Sequence, residues 1–381
     1  MGSLNKRLFT VIILMSTFLS ATTGSAQKID TISTFSMTGY IDAYYSYYTD
    51  SVGPNSYQKF PTVSPRNNAP GLNIAQVSFV YNADKIRATG VFGYGDILNS
   101  TWSHPYNNIM EAHVGFKVYS KLWIDAGFFR THFGTEFLLP SENITSSVAV
   151  GTYYEPYYES GIRLNFDPTT KLEINLFFLN GYNVFVDNNQ QKSFGMGITY
   201  VVNDNMGIGY TNYIGDDSPD SVLNSHMRFA NNVFVNYQRR KLKVQMGADY
   251  FIQQNSDIAT HTKTASMYSA VATVRYQCKP KFAVYARGEF FNDADAMLST
   301  VYTDKAGTAS GYKLWGVTAG MEYKPTPESY VKLEGRRLQM ADGQNIFYYN
   351  GLSYSTRFEI MLHAGVTFDL LKNIKTKNND L

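Results

Sequence analysis

From residue 35 onward the chain alternates apolar and polar residues in short runs. In the last run Phe358, Ile360, Leu362, Ala364, Val366 and Phe368 alternate with Arg357, Glu359, Met361, His363, Gly365 and Thr367. Successive side chains of a strand point to opposite faces, so such a run carries one oily stripe and one polar stripe. Leu242, Val244, Met246, Ala248, Tyr250 and Ile252 repeat the pattern against Lys241, Lys243, Gln245, Gly247 and Asp249. The period predicts strands over 35–48, 71–83, 85–97, 108–119, 121–133, 157–166, 171–182, 192–202, 205–214, 227–239, 241–253, 265–277, 281–292, 311–323, 329–339 and 355–370. That is about sixteen strands, with fourteen as the alternative count.

The connections sort into two kinds. Asn82–Lys85, Tyr119–Lys121, Asp167–Thr170, Asn203–Asn205, Arg239–Lys241, Cys278–Pro280 and Lys324–Pro327 are tight and rich in turn formers. Between them lie long stretches over 50–70, 134–156, 293–310 and 340–354. Long loops on one rim and tight turns on the other are the mark of a transmembrane barrel. The expected fold is therefore all-β: a transmembrane antiparallel up-and-down β-barrel with short periplasmic turns and long extracellular loops.

The amino terminus agrees with export. Lys6 and Arg7 precede an apolar run over 8–19, followed by Gly24-Ser25-Ala26, a small-x-Ala cleavage signature. The expected organisation is a signal peptide over 1–26, the barrel over 27–372 and a polar tail over 373–381. No stretch reaches the roughly 18 consecutive apolar residues of a membrane-crossing helix. Cys278 is the only cysteine, so neither a disulfide nor a lipid-anchoring cysteine at Gln27 is expected.

Composition narrows the class further. Lys and Arg number 33 against 31 Asp and Glu, and loss of Lys6 and Arg7 with the leader brings the two into balance. Such balance argues against a nucleic-acid partner, which calls for a basic excess. Aromatic residues make up 15% of the chain, with 30 Tyr and 25 Phe, yet mean hydropathy is only −0.25. Aromatics at the headgroups and polar side chains in a wet lumen account for both.

Strand number bears on function, because barrels of about sixteen strands enclose an aqueous channel whereas eight-stranded ones fill with side chains. Glu111, Lys117, Asp125, Glu159, Arg163, Arg287, Glu289, Lys332, Glu334, Arg336, Arg357 and Glu359 fall opposite apolar stripes and are expected to line a wet, mixed-charge lumen. The connection over 134–156 can fold inward and narrow it. Glu136 lies in that loop, Arg130 and His132 just before it, and Glu159 and Arg163 just after. The residues leave two readings open: a constriction, or a loop lying over the outer rim. The charges likewise read as pore lining or as solvated faces and mutual ion pairs.

Four segments, GYIDAYYSYY, NIAQVSFVYN, GFFRTHFGTEFLLPSENITSS and EPYYESGIRLNF, resemble the OmpL-like β-barrel porin family, and the resemblance covers nearly the whole exported chain. It implies a porin of the Gram-negative cell outer membrane and brings no catalytic residues. The expected activity is passive diffusion of small hydrophilic solutes or ions, with no cofactor and no metal. Membrane lipid is the expected surrounding partner, and a homo-oligomer, a trimer, follows by analogy with sixteen-stranded porins.

Other readings differ in class. A barrel plugged by its own loops would serve as a solute-binding protein, adhesin or scaffold. A soluble β-sandwich would need no detergent. An enzyme would need a site at the outer rim, where only His132, Glu136 and Ser141 come near one another; no H-E-x-x-H or G-x-S-x-G occurs. The acidic stretch over 216–220 lacks the spacing of a calcium loop and reads as a solvated turn. Gly90, Gly93 and Gly95 have no helix-opening context for a dinucleotide and read as strand glycines.

Overall fold

The computed structural model describes residues 33–50, 56–103, 106–187, 189–222, 224–341 and 343–371. The expected signal peptide and the polar tail lie outside these residues. Among the described residues, sixteen strands close into one antiparallel barrel. They are β1 (Thr34–Tyr48), β2 (Ala69–Asn82), β3 (Ile86–Tyr94), β4 (Ile109–Tyr119), β5 (Leu122–Arg130), β6 (Tyr158–Thr169), β7 (Leu172–Leu179) and β8 (Ser193–Asn203), continuing as β9 (Met206–Gly215), β10 (Arg228–Arg239), β11 (Leu242–Gln253), β12 (Ala265–Lys279), β13 (Phe282–Asn292), β16 (Lys313–Tyr323), β17 (Ser329–Met340) and β20 (Thr356–Asp369). Two loop hairpins supply β14 (Tyr302–Thr303) with β15 (Ala309–Ser310), and β18 (Phe347–Tyr349) with β19 (Leu352–Tyr354).

Each strand pairs with its sequence neighbour, and β1 meets β20 in a continuous register from Thr38↔Asp369 to Tyr48↔Glu359. Closure leaves no unpaired sheet edge, which a bilayer interior demands. The tight turns gather at one rim; that between β10 and β11 passes through Arg240 at φ 53. The long connections gather at the other.

The predicted period is the observed one. On β20, Arg357, Glu359, Met361 and His363 are buried inside, while Phe358, Ile360 and Leu362 face out. Every Asp and Glu within a barrel strand falls on the inward side of this alternation. Outside, Phe35, Tyr119, Tyr276 and Tyr323 ring the turn end, and Tyr47, Phe194, Phe290 and Phe358 ring the loop end. Aliphatic residues such as Val114, Leu176, Val233 and Leu333 fill the band between them. This is the girdle-and-band surface of a barrel immersed in lipid. No helix among the described residues is long and apolar enough to cross a membrane.

The main departure from the predicted strands lies after β3. The pattern extends the strand to Ile97, but it stops at Tyr94, and α1 (Asp96–Thr101) follows. Gly95 makes the corner at φ 150, and a Cβ there would sit 2.4 Å from the Asn73 carbonyl oxygen. Only glycine allows that approach. Ile97 and Leu98 of the helix pack into an apolar cluster with Trp102, Met110 and Tyr158, which an extended strand could not supply.

Candidate functional site

The connection between β5 and β6 enters the barrel and seats on the opposite wall. Its single turn of helix, α2 (Val150–Tyr153), contacts β12 and β13. Along β13 and β17 the inward charges that the period places in the lumen become its anchors. Glu334 accepts the Ser146 amide at 2.7 Å and the Ser147 amide at 3.2 Å, and the Ser147 hydroxyl as well. Glu289 accepts the Val150 amide at 2.8 Å. Lys332 Nζ donates to the carbonyls of Pro140 and Asn143 at 2.6 and 2.9 Å, and Arg287 to that of Ser147 at 2.6 Å.

These anchors are also paired with one another. Arg336 lies 2.8–2.9 Å from both oxygens of Glu289 and 3.4 Å from Glu359, which also takes Arg357 Nε at 2.9 Å. Arg357 is stacked among Tyr48, Phe60 and Phe347, the last two from the outer loops. A buried charge is tolerable only when its partners replace water; here each is hydrogen-bonded, and all but Glu334 also lie within 4.0 Å of an opposite charge. By the strand period Arg287, Glu289, Lys332, Glu334, Arg336, Arg357 and Glu359 are expected to face water. All seven are instead nearly solvent-free, because the inserted loop and the loop over 56–68 cover them.

The other wall keeps water-facing charges. Arg87 and Arg163 both hold Asp125, at 2.6 and 3.1 Å, and the carboxylate is fully buried beneath the two partly exposed guanidiniums. Two cations on one anion leave a positive excess toward the lumen. Lys117 stands nearby over the Trp123 ring. Above them a cavity of about 260 Å³ is lined by Glu111, Arg130, Glu136, Glu155 and Arg163, with Trp102 and Tyr157 at its sides. Four of the predicted site residues, Glu111, Arg130, Glu136 and Arg163, thus meet in one place.

Loop residues complete this cavity. Arg130 grips Glu142 through two parallel contacts, one of them 2.7 Å. Glu136 accepts the Ala149 amide at 2.7 Å and lies 3.3 Å from Arg287, so it ties the loop to itself and to the far wall. Glu155 was not foreseen. Burial pushes its carboxyl well above the usual range, helped by the nearby charges of Asp249 and Glu136, and it hydrogen-bonds Asp249. No apolar-polar period marks a loop carboxylate, so its burial left no trace in the pattern.

Glu159 belongs with His132 rather than with the cavity. His132 Nδ1 lies 2.7 Å from Glu159 and Nε2 lies 2.8 Å from the Asn212 carbonyl. Burial pulls the imidazole pKa down, but the Glu159 charge and hydrogen bond outweigh it and the net shift is upward. Both ring nitrogens are engaged, which breaks up the His132, Glu136 and Ser141 grouping considered for catalysis.

A Ser–His–Asp alignment does occur elsewhere: the Ser64 hydroxyl lies 3.3 Å from His363 Nε2, and His363 Nδ1 lies 2.9 Å from Asp42. All three are completely buried, and Asp42 also accepts Tyr330 and Asn73 at 2.6 and 2.8 Å. A sealed serine meets no substrate; the alignment pins the loop over 56–68 to the wall. Asp216 of the acidic stretch is likewise internal rather than solvated. Burial raises its carboxyl, but donors on Ser218, Ser225 and His226 outweigh that and bring it below the ordinary value.

A closed sixteen-strand barrel, oily outside, with charged inner walls and a loop folded into its lumen, is the architecture of an outer-membrane porin. The chain belongs to the family described as "Putative beta-barrel porin-2, OmpL-like", whose model matches residues 34–368. It is a porin channel of the outer membrane. Its fold is similar to that of the outer membrane channel DcaP of Acinetobacter baumannii, at 13% identity and TM-score 0.58 over 88% of this chain and 97% of that one. Salmonella typhi OmpF, solved with daunomycin, is similar at 14% identity and TM-score 0.56 over 88% and 97%. OmpT of Vibrio cholerae is similar at 11% and 0.56 over 88% and 98%. No curated protein matches the sequence.

Proposed function

We propose that the channel passes small hydrophilic solutes or ions by passive diffusion, and that the loop over 134–156 is its constriction. The observation that carries this reading is the loop's anchorage on Glu289, Lys332 and Glu334. It closes one side of the lumen and leaves the charged face of β3–β6 to water. Solutes would pass Arg130, Glu111 and Arg163 beside the loop and then Arg87, Asp125 and Lys117 below it. With two guanidiniums sharing Asp125, this route favours anions modestly, since selectivity follows the excess of one sign at the narrowing.

No cofactor and no covalent step enter this mechanism. A leader over 1–26 would deliver the chain, and membrane lipid would surround the mature barrel. A homo-oligomer is part of the reading, since OmpT of Vibrio cholerae has a trimer form.

Single-channel recording in a planar bilayer, with a panel of neutral and charged solutes, tests the proposal. Discrete open steps with modest anion preference are expected. Correctly inserted protein that leaves the bilayer tight would overturn it in favour of the loop-plugged binding protein or scaffold. That second reading draws on the apolar cluster of Phe60, Phe133, Val150, Phe251, Phe291 and Phe347, which joins the inserted loops to the wall.

A further inference from the structure

The outer wall carries an open groove of about 660 Å³ across β12, β13, β16, β17 and β20. Its floor is made of Ala272, Ala286, Gly288, Ala319 and Gly335. No atom comes within 4 Å of where a Cβ on Gly288 or Gly335 would lie, so the depression is real space on the lipid-facing side. At its head stands Arg337, three residues before the loop end of β17.

Arg337 is the anomaly of this surface. Among the described residues it is the one charged side chain at an outward strand position other than a strand's first or last residue. Its guanidinium lies 5.5 Å from the Trp315 ring centroid and 5.7 Å from that of Phe358, at the level of the loop-end aromatic girdle. One terminal nitrogen donates to Gln339 at 3.2 Å, while Nε is enclosed without a hydrogen-bond partner. A lone cation on the lipid-facing wall at headgroup level attracts an anion.

We propose that this groove binds one membrane lipid of net negative charge, with an acyl chain along the small residues and the headgroup phosphate, uncompensated by a cationic headgroup, on Arg337. The pairing of an apolar trough with a single cation at its headgroup end matches an anionic amphiphile. A second copy of the barrel wall matches less well, because the strand carboxylates all point inward and the facing wall would bring no counter-charge. Guanidinium suits phosphate through two parallel hydrogen bonds.

The test is native mass spectrometry of the full, folded chain taken from vesicles of equal phosphatidylglycerol and phosphatidylcholine. Wild-type protein should retain phosphatidylglycerol in preference. Arg337→Gln should lower that retention about tenfold, the equivalent of one charge-assisted hydrogen bond. Gly335→Leu, which meets open space, should lower retention of both lipids while the barrel keeps its heat-modifiable migration. Equal retention of the two lipids by wild type, or unchanged retention in Arg337→Gln, overturns the proposal. So does a Gly335→Leu variant that dissociates an oligomer yet holds lipid as before, since the groove would then be a contact between copies.

Discussion

Glu334, on β17, accepts the backbone amide of Ser146 at 2.7 Å although the two residues lie 188 positions apart. The bond spans the barrel and holds the inserted loop to the wall opposite its roots. Tyr285 adds a donor to the same carboxylate at 3.1 Å, so Glu334 joins loop, β13 and β17.

Glu334→Ala is expected to release the middle of the loop. Two amides and two hydroxyls would lose their acceptor in a buried setting, at a cost of about 1–3 kcal/mol each where water cannot replace it. Single-channel conductance should rise and grow noisier, and the temperature at which the folded band disappears on unheated gels should fall. A conductance identical to wild type, with the same thermal transition, would show that this anchor does not set the width of the passage.

Arg130 and Arg163 line the same cavity, and each is about a quarter exposed. Their neutralisation to Gln should shift the reversal potential in a salt gradient toward cation preference. Arg163→Gln leaves Asp125 on Arg87 at 2.6 Å, so the wall should stay folded and the change should be electrostatic. An unmoved reversal potential rejects both residues as the filter.

Much of this architecture was legible because a strand repeats every two residues and the bilayer reads that repeat without ambiguity. The alternation on β20, and the turn signals at Asp167–Thr170 and Lys324–Pro327, placed strands and rims within a few residues. The inward side of Glu289, Glu334 and Arg336 followed from the same period. Their burial did not, since an inward side chain looks alike in sequence whether it meets water or a loop. The seating of the loop on Glu334 is a contact between distant segments, and no local pattern encodes it. Glu155 and the sealed Ser64–His363–Asp42 alignment were missed for the same reason.

Gly95 tests the main place where the period misled. Its φ of 150 and the 2.4 Å approach to the Asn73 carbonyl leave no room for a methyl group. Gly95→Ala should destabilise the barrel by about 1 kcal/mol or more, whereas Gly335→Ala, with open space around it, should leave stability nearly unchanged. Equal thermal transitions for the two variants would mean that the β3–α1 corner tolerates a side chain.

The roots of the inserted loop carry two titrations that act in the same direction. Burial pulls the His132 imidazole pKa down, but Glu159 outweighs it and leaves it above its ordinary 6.5. Its stabilising contribution is therefore complete below pH 6.5 and is lost as pH rises through the raised value. Burial and the charges of Asp249 and Glu136 hold the Glu155 carboxyl well above its ordinary 4.5, so the folded state favours its neutral form. Above pH 4.5 the unfolded chain releases that proton while the folded chain keeps it, which also costs stability as pH rises. The loop should thus be held more firmly at mildly acidic pH, and the thermal transition should fall as pH rises above 4.5. His132→Gln should remove the part of that slope that begins near pH 6.5 and Glu155→Gln the part that begins near pH 4.5, as read by the heat-modifiable gel shift across pH. A transition temperature in wild type that stays flat, or a slope that both variants leave unchanged, would rule out these two groups as the source of any acid preference.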